Sequence, residues 1–257
     1  MKKRNRLSIY LFCLVPLALV VHIIYKVVDI YLEKGRMVDR IYGLVRVVDR
    51  MDTLVNVSRS RDSDAFLQGK EPIPSLVWRN EKGDPLYSWR FAQYLTLPDP
   101  LPKDLLWTAD EYESVRKHIP HSYCLEGNTQ SVVFAIGGPD TAFDQINPTP
   151  AKLLPHNLIL FADVFESNTH WMQPGDFNVE NIPEKFNVPG GFGSRDYSGF
   201  FVVFVDGQIW HLQDNTPIKL LMKFCTITGA KENSRDLLEP YCDLKHQLDK
   251  KNLAWLK

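Results

Sequence analysis

The sequence predicts an α+β protein in which an N-terminal membrane-spanning helix continues as a long amphipathic helix packed on an antiparallel sheet. Three observations lead to this prediction. An apolar run covers residues 7–25, apolar residues then recur at helical spacing through residue 57, and two aromatic and β-branched runs meet at Asp206-Gly207. Helical and strand periodicity therefore occupy separate parts of the chain, as they do in α+β folds.

The composition is that of an ordinary globular protein. Of the 257 residues, 44% are hydrophobic and 24% are charged, which excludes a disordered chain. Lysine and arginine together number 30, against 31 aspartates and glutamates, so no basic excess marks a nucleic-acid surface. We expect no nucleic-acid partner.

The four cysteines leave room for at most one disulfide outside the apolar run, because Cys13 lies within that run. Of the other three, Cys225 and Cys242 are nearest to each other in sequence, and Cys124 is more distant. Spacing does not determine pairing, so one bridge and three free thiols both remain open.

The N-terminus carries four basic residues within positions 1–6, and the apolar run follows them. A run of about 19 residues gives roughly 28 Å of helix, which is enough to cross a bilayer. No small residues that would favour signal cleavage occur in Val20–Val28, so the run is expected to remain as an anchor. Because the basic residues precede the span, we predict a cytoplasmic tip at residues 1–6, a single transmembrane helix at residues 7–28 in the inner membrane, and an extracytoplasmic remainder.

Residues 29–57 predict an amphipathic helix that extends the span. Its apolar positions follow a helical period, and charged residues fill the other face. These positions are Ile30, Tyr31, Met37, Val38, Ile41, Leu44, Val45, Val48, Met51 and Val55. Such a stripe needs a packing partner, either the downstream sheet or another copy of the helix, and the short heptad run favours the chain's own sheet.

Residues 58–232 predict an extracytoplasmic α+β domain that begins with a polar loop. Its first elements are a strand at Leu76–Trp78, a turn at Asn80–Pro85, and a strand or short helix at Leu86–Phe91. A short helix at Ala109–His118 follows a proline-rich stretch, with acidic residues favourably placed near its start.

The second half of this domain predicts further strands and helices. Strands are expected at Ser131–Ile136 and Leu158–Val164, and a short helix is expected at Thr216–Phe224. Leucines and a tyrosine at helical spacing in Arg235–Leu248 predict that residues 233–257 form a C-terminal helix and tail.

The most informative stretch is a β-hairpin predicted at Phe200–Leu212. Asp-Gly between two strand-like runs favours a two-residue type I′ turn, because both residues tolerate positive φ. That turn sets a register in which four pairs face one another: Val205 with Gln208, Phe204 with Ile209, Val203 with Trp210, and Val202 with His211. Both faces are then largely apolar, so we expect a central hairpin that is covered on both sides. Asp206 is interpreted as a turn former rather than a catalytic residue.

Four segments in the same order resemble a bacterial family of pseudopilin-like membrane proteins. They contain Trp89-Arg90, Gly138-Pro139, Trp171 with Pro174, and Asp206-Gly207. The succession is similar to the prepilin-type processing-associated domain, which is defined by a histidine, nine residues and Asp-Gly. The resemblance covers most of the chain after Ile73. It implies a pilin-like fold and a structural or protein-interaction role in an assembly similar to type II secretion.

Two departures separate the chain from that family. Asp196 stands ten positions before Asp206, where the family has its histidine. The N-terminus also lacks the site at which a prepilin peptidase cuts, so processing and a methylated N-terminus are not expected. The resemblance therefore implies a divergent membrane-anchored protein without catalytic activity, whose partners are other membrane or envelope proteins or further copies of itself.

One cluster offers a competing interpretation. Asp163, Glu166 and His170 fall within eight residues at a predicted strand end, and carboxylates with imidazole can bind a divalent metal or act as acid and base. The alternative function is therefore a membrane-tethered metal-dependent hydrolase or ligand-binding domain. No ligand pattern or nucleophile motif accompanies these residues, so we expect no metal site, no cofactor and no enzyme activity.

Overall fold

Short helices and strands follow one long N-terminal helix along the chain. The computed structural model describes residues 4–59, 75–94, 102, 104–125 and 127–248, and within the first range it describes the side chains of residues 19–51. The α-helices are α1 (Arg4–Arg59), α2 (Trp89–Tyr94), α3 (Glu113–Arg116), α4 (Ile218–Lys223) and α5 (Ile227–Glu232). Short 3₁₀ helices cover Asp110–Tyr112, Ala151–Leu153 and Arg235–Tyr241. The strands are β1 (Val77–Arg79), β2 (Pro85–Ser88), β3 (Val133–Gly137), β4 (Ile159–Asp163), β5 (Phe177–Asn178), β6 (Phe200–Phe204), β7 (Gln208–Leu212) and β8 (Cys242–Gln247).

The chain divides into two compact units, Met1–Arg40 and Ile41–Lys257, and the boundary falls within helix α1. In the second unit its buried apolar residues recur at the spacing that places them on one helix face. These residues are Leu44, Val47, Val48 and Met51. The amphipathic helix is therefore confirmed here, whereas Ile30, Tyr31 and Val38 of the predicted stripe are exposed.

The buried stretch of α1 makes polar contacts with α2 and with Tyr123. The Gln93 side-chain amide donates a hydrogen bond to the Val47 carbonyl at 3.5 Å, and the Tyr123 hydroxyl donates to the Gln93 carbonyl oxygen. Tyr123 also contacts Arg50 of α1, and burial raises the pKa of Tyr123 to about 12. Beyond apolar packing, the part of α1 around Val47 and Arg50 is thus held by buried hydrogen bonds.

No helix within the described residues is both long and apolar enough to cross a membrane. Charged residues, among them Lys26, Asp29 and Glu33, interrupt the apolar part of α1 after Leu19. The side chains of residues 7–18, which form the first half of the predicted span, lie outside the described set. The membrane anchor therefore stays a prediction.

Six of the described strands form one mixed sheet in the order β5-β3-β4-β6-β7-β8. Neighbouring strands are antiparallel except β3 and β5, which run parallel with Ile136 opposite Phe177. The prediction of an antiparallel sheet is wrong at this edge, where β5 runs parallel to β3. The chain reaches this edge through the segment at residues 164–176, whose last residue, Asp176, accepts a hydrogen bond from the Ala135 N–H of β3 at 2.9 Å.

The β6–β7 hairpin is central, and every residue of β6 is buried, but its register differs from the prediction by one residue. Val203 lies opposite Ile209 rather than Trp210. The Gly207 N–H donates to the Phe204 carbonyl at 2.9 Å, and Gly207 alone in this turn has positive φ, at 78°. The connection is a three-residue loop, a type I turn followed by a left-handed glycine, and not the predicted type I′ turn.

The C-terminal helix predicted over residues 235–248 is wrong. A 3₁₀ helix leads instead into β8, which pairs antiparallel with β7. Pro240 has no N–H and disfavours a continuous α-helix at this position. The leucines that predicted the helix are divided, since Leu238 is buried in the core while Leu244 is exposed on the edge strand. Residues 249–257 of the predicted tail lie outside the described set.

Most other predicted elements of the domain are confirmed. β1 and β2 form a small hairpin that leads directly into α2, so Leu86–Phe91 contains both the strand and the helix that were considered. The strands predicted at Ser131–Ile136 and Leu158–Val164 are β3 and β4, and the helix predicted at Thr216–Phe224 is α4. The helix predicted at Ala109–His118 is divided into a 3₁₀ turn and α3. Among the described side chains, Cys124, Cys225 and Cys242 are not joined by a disulfide.

Candidate functional site

The Trp89-Arg90 segment begins α2 and lies at the centre of a buried polar network. The Arg90 side chain is fully buried, and its Nη1 forms an ion pair with Asp176 Oδ1 at 2.8 Å. The same Asp176 oxygen accepts hydrogen bonds from the Trp89 indole and from the Ala135 N–H, each at 2.9 Å. One carboxylate thereby joins α2, β3 and the segment before β5.

The loop at residues 171–175 accepts hydrogen bonds from the other donors of the guanidinium. Arg90 Nε donates to the Trp171 carbonyl at 3.2 Å, and Nη2 donates to the carbonyls of Gln173 at 3.1 Å and Gly175 at 2.8 Å. Pro174 lies between these last two acceptors and restricts the backbone there. Two segments that carry the family resemblance therefore meet in one network.

Burial and charge act in opposite directions on Asp176. Desolvation raises the pKa of Asp176, while the Arg90 charge and the Trp89 and Ala135 hydrogen bonds lower it, and burial prevails. Its second oxygen, Oδ2, is buried and has no hydrogen-bond partner among the described residues. A charge buried in this way depends on its counter-ion, so the network is suited to holding three segments together.

Gly138 and Pro139 follow β3 in a turn that favours glycine. Gly138 has a φ of 102°, and a Cβ at this position would meet Asn178 Oδ1 at 2.6 Å. Its carbonyl accepts a hydrogen bond from the Thr141 hydroxyl at 2.8 Å. These two residues direct the backbone at the end of β3.

Asp206 lies in the hairpin turn and forms an ion pair with Arg235. Both carboxylate oxygens contact the guanidinium, Oδ1 at 3.0 Å from Nη1. The guanidinium carbon lies 4.4 Å from the centre of the Phe204 ring. Asp206 Oδ1 also accepts the Gln208 N–H at 3.1 Å, and Gly207 supplies the left-handed conformation. Asp206 and Gly207 therefore shape the backbone of the turn, and the Asp206 carboxylate has Arg235 as its counter-ion.

The hairpin contains a histidine, His211 of β7, at a different position from the one that the family resemblance implies. Asp196, at the family's histidine position, is half-buried, and its N–H donates to the Ser194 hydroxyl at 3.2 Å. His211 is buried, and its Nε2 lies 2.7 Å from the Ser198 carbonyl, to which the ring N–H donates. Sequence reasoning missed His211, although an imidazole within an apolar central strand was a usable signal.

Asp163 and Glu166 of the alternative cluster have separate surroundings. Asp163 is buried and accepts hydrogen bonds from the Tyr197 hydroxyl at 2.6 Å and from a β6 backbone N–H at 2.8 Å. Glu166 has a positive φ of 44° and pairs with Arg195 near the surface. The chain turns between these residues, so their carboxylates have different partners.

His170 is half-buried beside aromatic residues. Its ring stacks on Trp107 with 5.2 Å between centroids, its Nδ1 accepts the Met172 N–H at 3.2 Å, and its Nε2 lies 3.2 Å from the Arg116 carbonyl. Desolvation lowers the pKa of His170, which favours the neutral ring. In the part of the chain that the structure describes, no group of three or more His, Cys, Asp or Glu residues is arranged to hold a metal ion.

An open cleft of about 650 Å³ lies between residues 155–157 and residues 230–236. Its lining includes Lys231, Glu232 and Asp236, so it has charges of both signs. Because both signs of charge are present, the cleft does not favour a ligand of either charge.

Comparison of the chain with protein-family models, curated proteins and solved structures finds no match. Interpretation of the site therefore depends on its own geometry. The central residue that sequence reasoning did not single out is Asp176. The available signal was Arg90, because an arginine within a short apolar helix needs a buried acidic partner.

Proposed function

We propose that this protein is a single-pass, membrane-anchored, pseudopilin-like protein that acts structurally or through protein contacts outside the inner membrane. The surface of α1 carries this proposal. Every position from Leu19 to Leu32 is exposed, and the large apolar side chains among them are 45–73% exposed. Lys26 and Asp29 are the charged residues in this stretch, and its exposed apolar majority is better suited to a bilayer or to other apolar helices than to water.

The contacts of the folded domain support the pseudopilin-like part of the proposal. Trp89-Arg90 and the Trp171–Pro174 segment, which resemble the family, lie in one buried network. The charged groups described there bind one another and the backbone, which favours a structural role over catalysis. The domain would then present surfaces to envelope proteins or to further copies of the chain.

Deletion of residues 7–28 tests the anchor. In bacterial cells the full chain is expected to sediment with the inner membrane, because the apolar helix partitions into lipid. The deletion variant is expected in the soluble fraction. A matched control replaces the deleted stretch with leucines and should return the chain to the membrane, whereas a serine-rich replacement of equal length should not. An intact deletion variant that still sediments with membranes contradicts the anchor.

Labelling of introduced cysteines tests the orientation. Leu237 is exposed and Ala230 is buried, so Leu237→Cys and Ala230→Cys form a matched pair in a Cys242→Ser background. A maleimide that cannot cross the inner membrane should label Leu237→Cys in intact spheroplasts and leave Ala230→Cys unlabelled. Labelling of Leu237→Cys only after lysis would place the domain in the cytoplasm.

Chemical cross-linking of the full chain in membranes tests assembly. A pseudopilin-like role predicts species larger than the monomer, formed either with envelope proteins or with further copies. If only the monomer is recovered, the assembly role is excluded and a solitary membrane-anchored module remains.

A further inference from the structure

An exposed seam of apolar residues and one glycine runs along the part of α1 that belongs to the first compact unit. Its members recur with alternating steps of three and four positions, which is the spacing of the a and d positions of a coiled coil. They are Val21, Ile24, Val28, Tyr31, Gly35 and Val38. The five with large side chains are 48–73% exposed, and Gly35 is also exposed. We call this set the 21–38 seam, and the part of the chain that the structure describes leaves it open.

The charged residues of the same stretch all avoid the seam. Positions 26–40 contain seven of them, and none occupies an a or d position. They are Lys26, Asp29, Glu33, Lys34, Arg36, Asp39 and Arg40. The partly or fully buried positions Glu33, Met37 and Arg40 lie on the opposite side of the helix. The seam is therefore a line on the uncovered side of α1 that no charge interrupts.

Gly35 lies in the interior of α1, where glycine is among the least favourable residues. A Cβ at this position would meet no atom within 4 Å, so packing within the chain does not require a glycine. Its φ is not positive either, so the backbone conformation does not require one. A glycine on an exposed helix face does allow the backbone of a second helix to approach closely. Gly35 thus supports a helix as the partner of the seam.

We propose that the 21–38 seams of two copies of this chain pair with each other as a parallel coiled coil. The inference rests on the proposed membrane anchor, because two copies inserted in the same direction hold their α1 helices parallel and at the same depth. In a parallel coiled coil, each g position faces the e position of the next heptad on the other helix.

The charges beside the seam complement one another in this arrangement. Lys34 occupies a g position and Asp39 occupies the e position of the next heptad, so Lys34 of each copy faces Asp39 of the other. Both side chains are exposed in the single chain and are free to reach across the pair. A bilayer alone offers no such matched charges, which favours a second copy as the occupant of the seam.

Cysteine cross-linking of the full chain in membranes tests the pairing. Val38→Cys places a thiol on the seam, and Arg36→Cys places one at an outward b position that is also exposed. A Cys13→Ser, Cys242→Ser background removes the native thiols of the apolar run and of the partly buried β8 position. Under mild oxidation, we expect Val38→Cys to form several-fold more disulfide-linked dimer than Arg36→Cys. Two differently tagged copies, expressed together, establish that both members of the dimer are this chain.

Charge reversal tests the register of the pair. Lys34→Glu or Asp39→Lys alone places like charges opposite each other, so each should reduce the cross-linked fraction of Val38→Cys several-fold. The double variant Lys34→Glu, Asp39→Lys restores opposite charges and should return the fraction to its original value. Arg36→Glu is the control, because it reverses a charge at an outward position and should leave the fraction unchanged.

Three results would overturn the pairing. One is equal cross-linking of Val38→Cys and Arg36→Cys, and another is a double charge variant that cross-links no better than the single variants. The third is a Val38→Cys adduct with another protein in place of the second copy. Sedimentation of the same samples reports on the anchor separately. A chain that sediments with the membrane but stays monomeric overturns the pairing alone, whereas a soluble dimer overturns the anchor alone.

Discussion

The pairs Arg90–Asp176 and Arg235–Asp206 use the same chemistry at different depths. The side chains of the first pair are 0% and 6% exposed, and those of the second are 14% and 23% exposed. In the core, the Asp176 carboxylate also accepts hydrogen bonds from an indole and a strand N–H. At the hairpin turn, the Arg235–Asp206 pair is partly exposed to water. From this difference we expect that depth, more than geometry, decides whether a lone partner of the pair is tolerated.

Arg90→Met tests the core pair and should have the largest effect. The substitution leaves the Asp176 charge buried without a counter-ion and removes the donor to three loop carbonyls. We expect a loss of about 3–5 kcal/mol in the free energy of unfolding. Guanidinium chloride denaturation of the full chain in detergent micelles, followed by tryptophan fluorescence, measures it. Arg90→Lys keeps the positive charge without the planar guanidinium and should lose less stability than Arg90→Met. A loss below about 1 kcal/mol for Arg90→Met would contradict the idea that burial makes the unpaired carboxylate costly.

Asp176→Asn tests the buried pair through the pH dependence of the free energy of unfolding. Because burial raises the folded-state pKa of Asp176, the folded chain binds this proton more readily than the unfolded chain. The resulting stability is fully present below the ordinary aspartate pKa of about 3.9 and is lost as pH rises through the raised folded-state pKa. The stability of the unmodified chain relative to Asp176→Asn should therefore fall as pH rises from about 4. Denaturation at several pH values checks this, and a relative stability that increases with pH would show that Arg90 dominates over burial.

Arg235→Met tests the pair at the turn and should have a smaller effect than Arg90→Met. The Asp206 carboxylate remains partly hydrated, and the methionine retains contact with the Phe204 ring, so we expect a loss of about 1 kcal/mol. Arg195→Met is the matched surface control, because the Arg195 and Glu166 side chains are 53% and 29% exposed, and its effect should be close to zero. The same denaturation assay compares the three Arg→Met variants. A loss in Arg235→Met as large as in Arg90→Met would remove the distinction between the pairs.

Periodicity and turn composition predicted much of the fold. The buried face of α1 at Leu44–Met51 follows from helical spacing, and β6 and β7 follow from aromatic and β-branched runs around Asp206-Gly207. The register could not be predicted, because Asp-Gly suits both a two-residue loop and a three-residue loop with a left-handed glycine. Leucine spacing likewise did not distinguish a helix at Arg235–Leu248 from a 3₁₀ turn followed by an edge strand.

The candidate site was less predictable than the fold. Trp89-Arg90 stood out, but its partner is one of 31 acidic residues and lies 86 positions away, so local patterns do not identify Asp176. The opposite error occurred at Asp163, Glu166 and His170, where closeness in sequence suggested closeness in space. A strand end and the turns after it direct these three side chains to different partners, although only seven positions separate the first from the last.

β8 is the last described strand along the chain, and it covers the outer edge of β7. Since the chain emerges from its N-terminal end during synthesis and export, the other strand pairs of the sheet can form before β8 is available. During that interval the backbone of Ile209–Leu212 is an uncovered edge of an apolar strand, which readily pairs with other chains. The newly made protein thus passes through a stage in which it is prone to aggregate, and that stage ends when β8 pairs with β7.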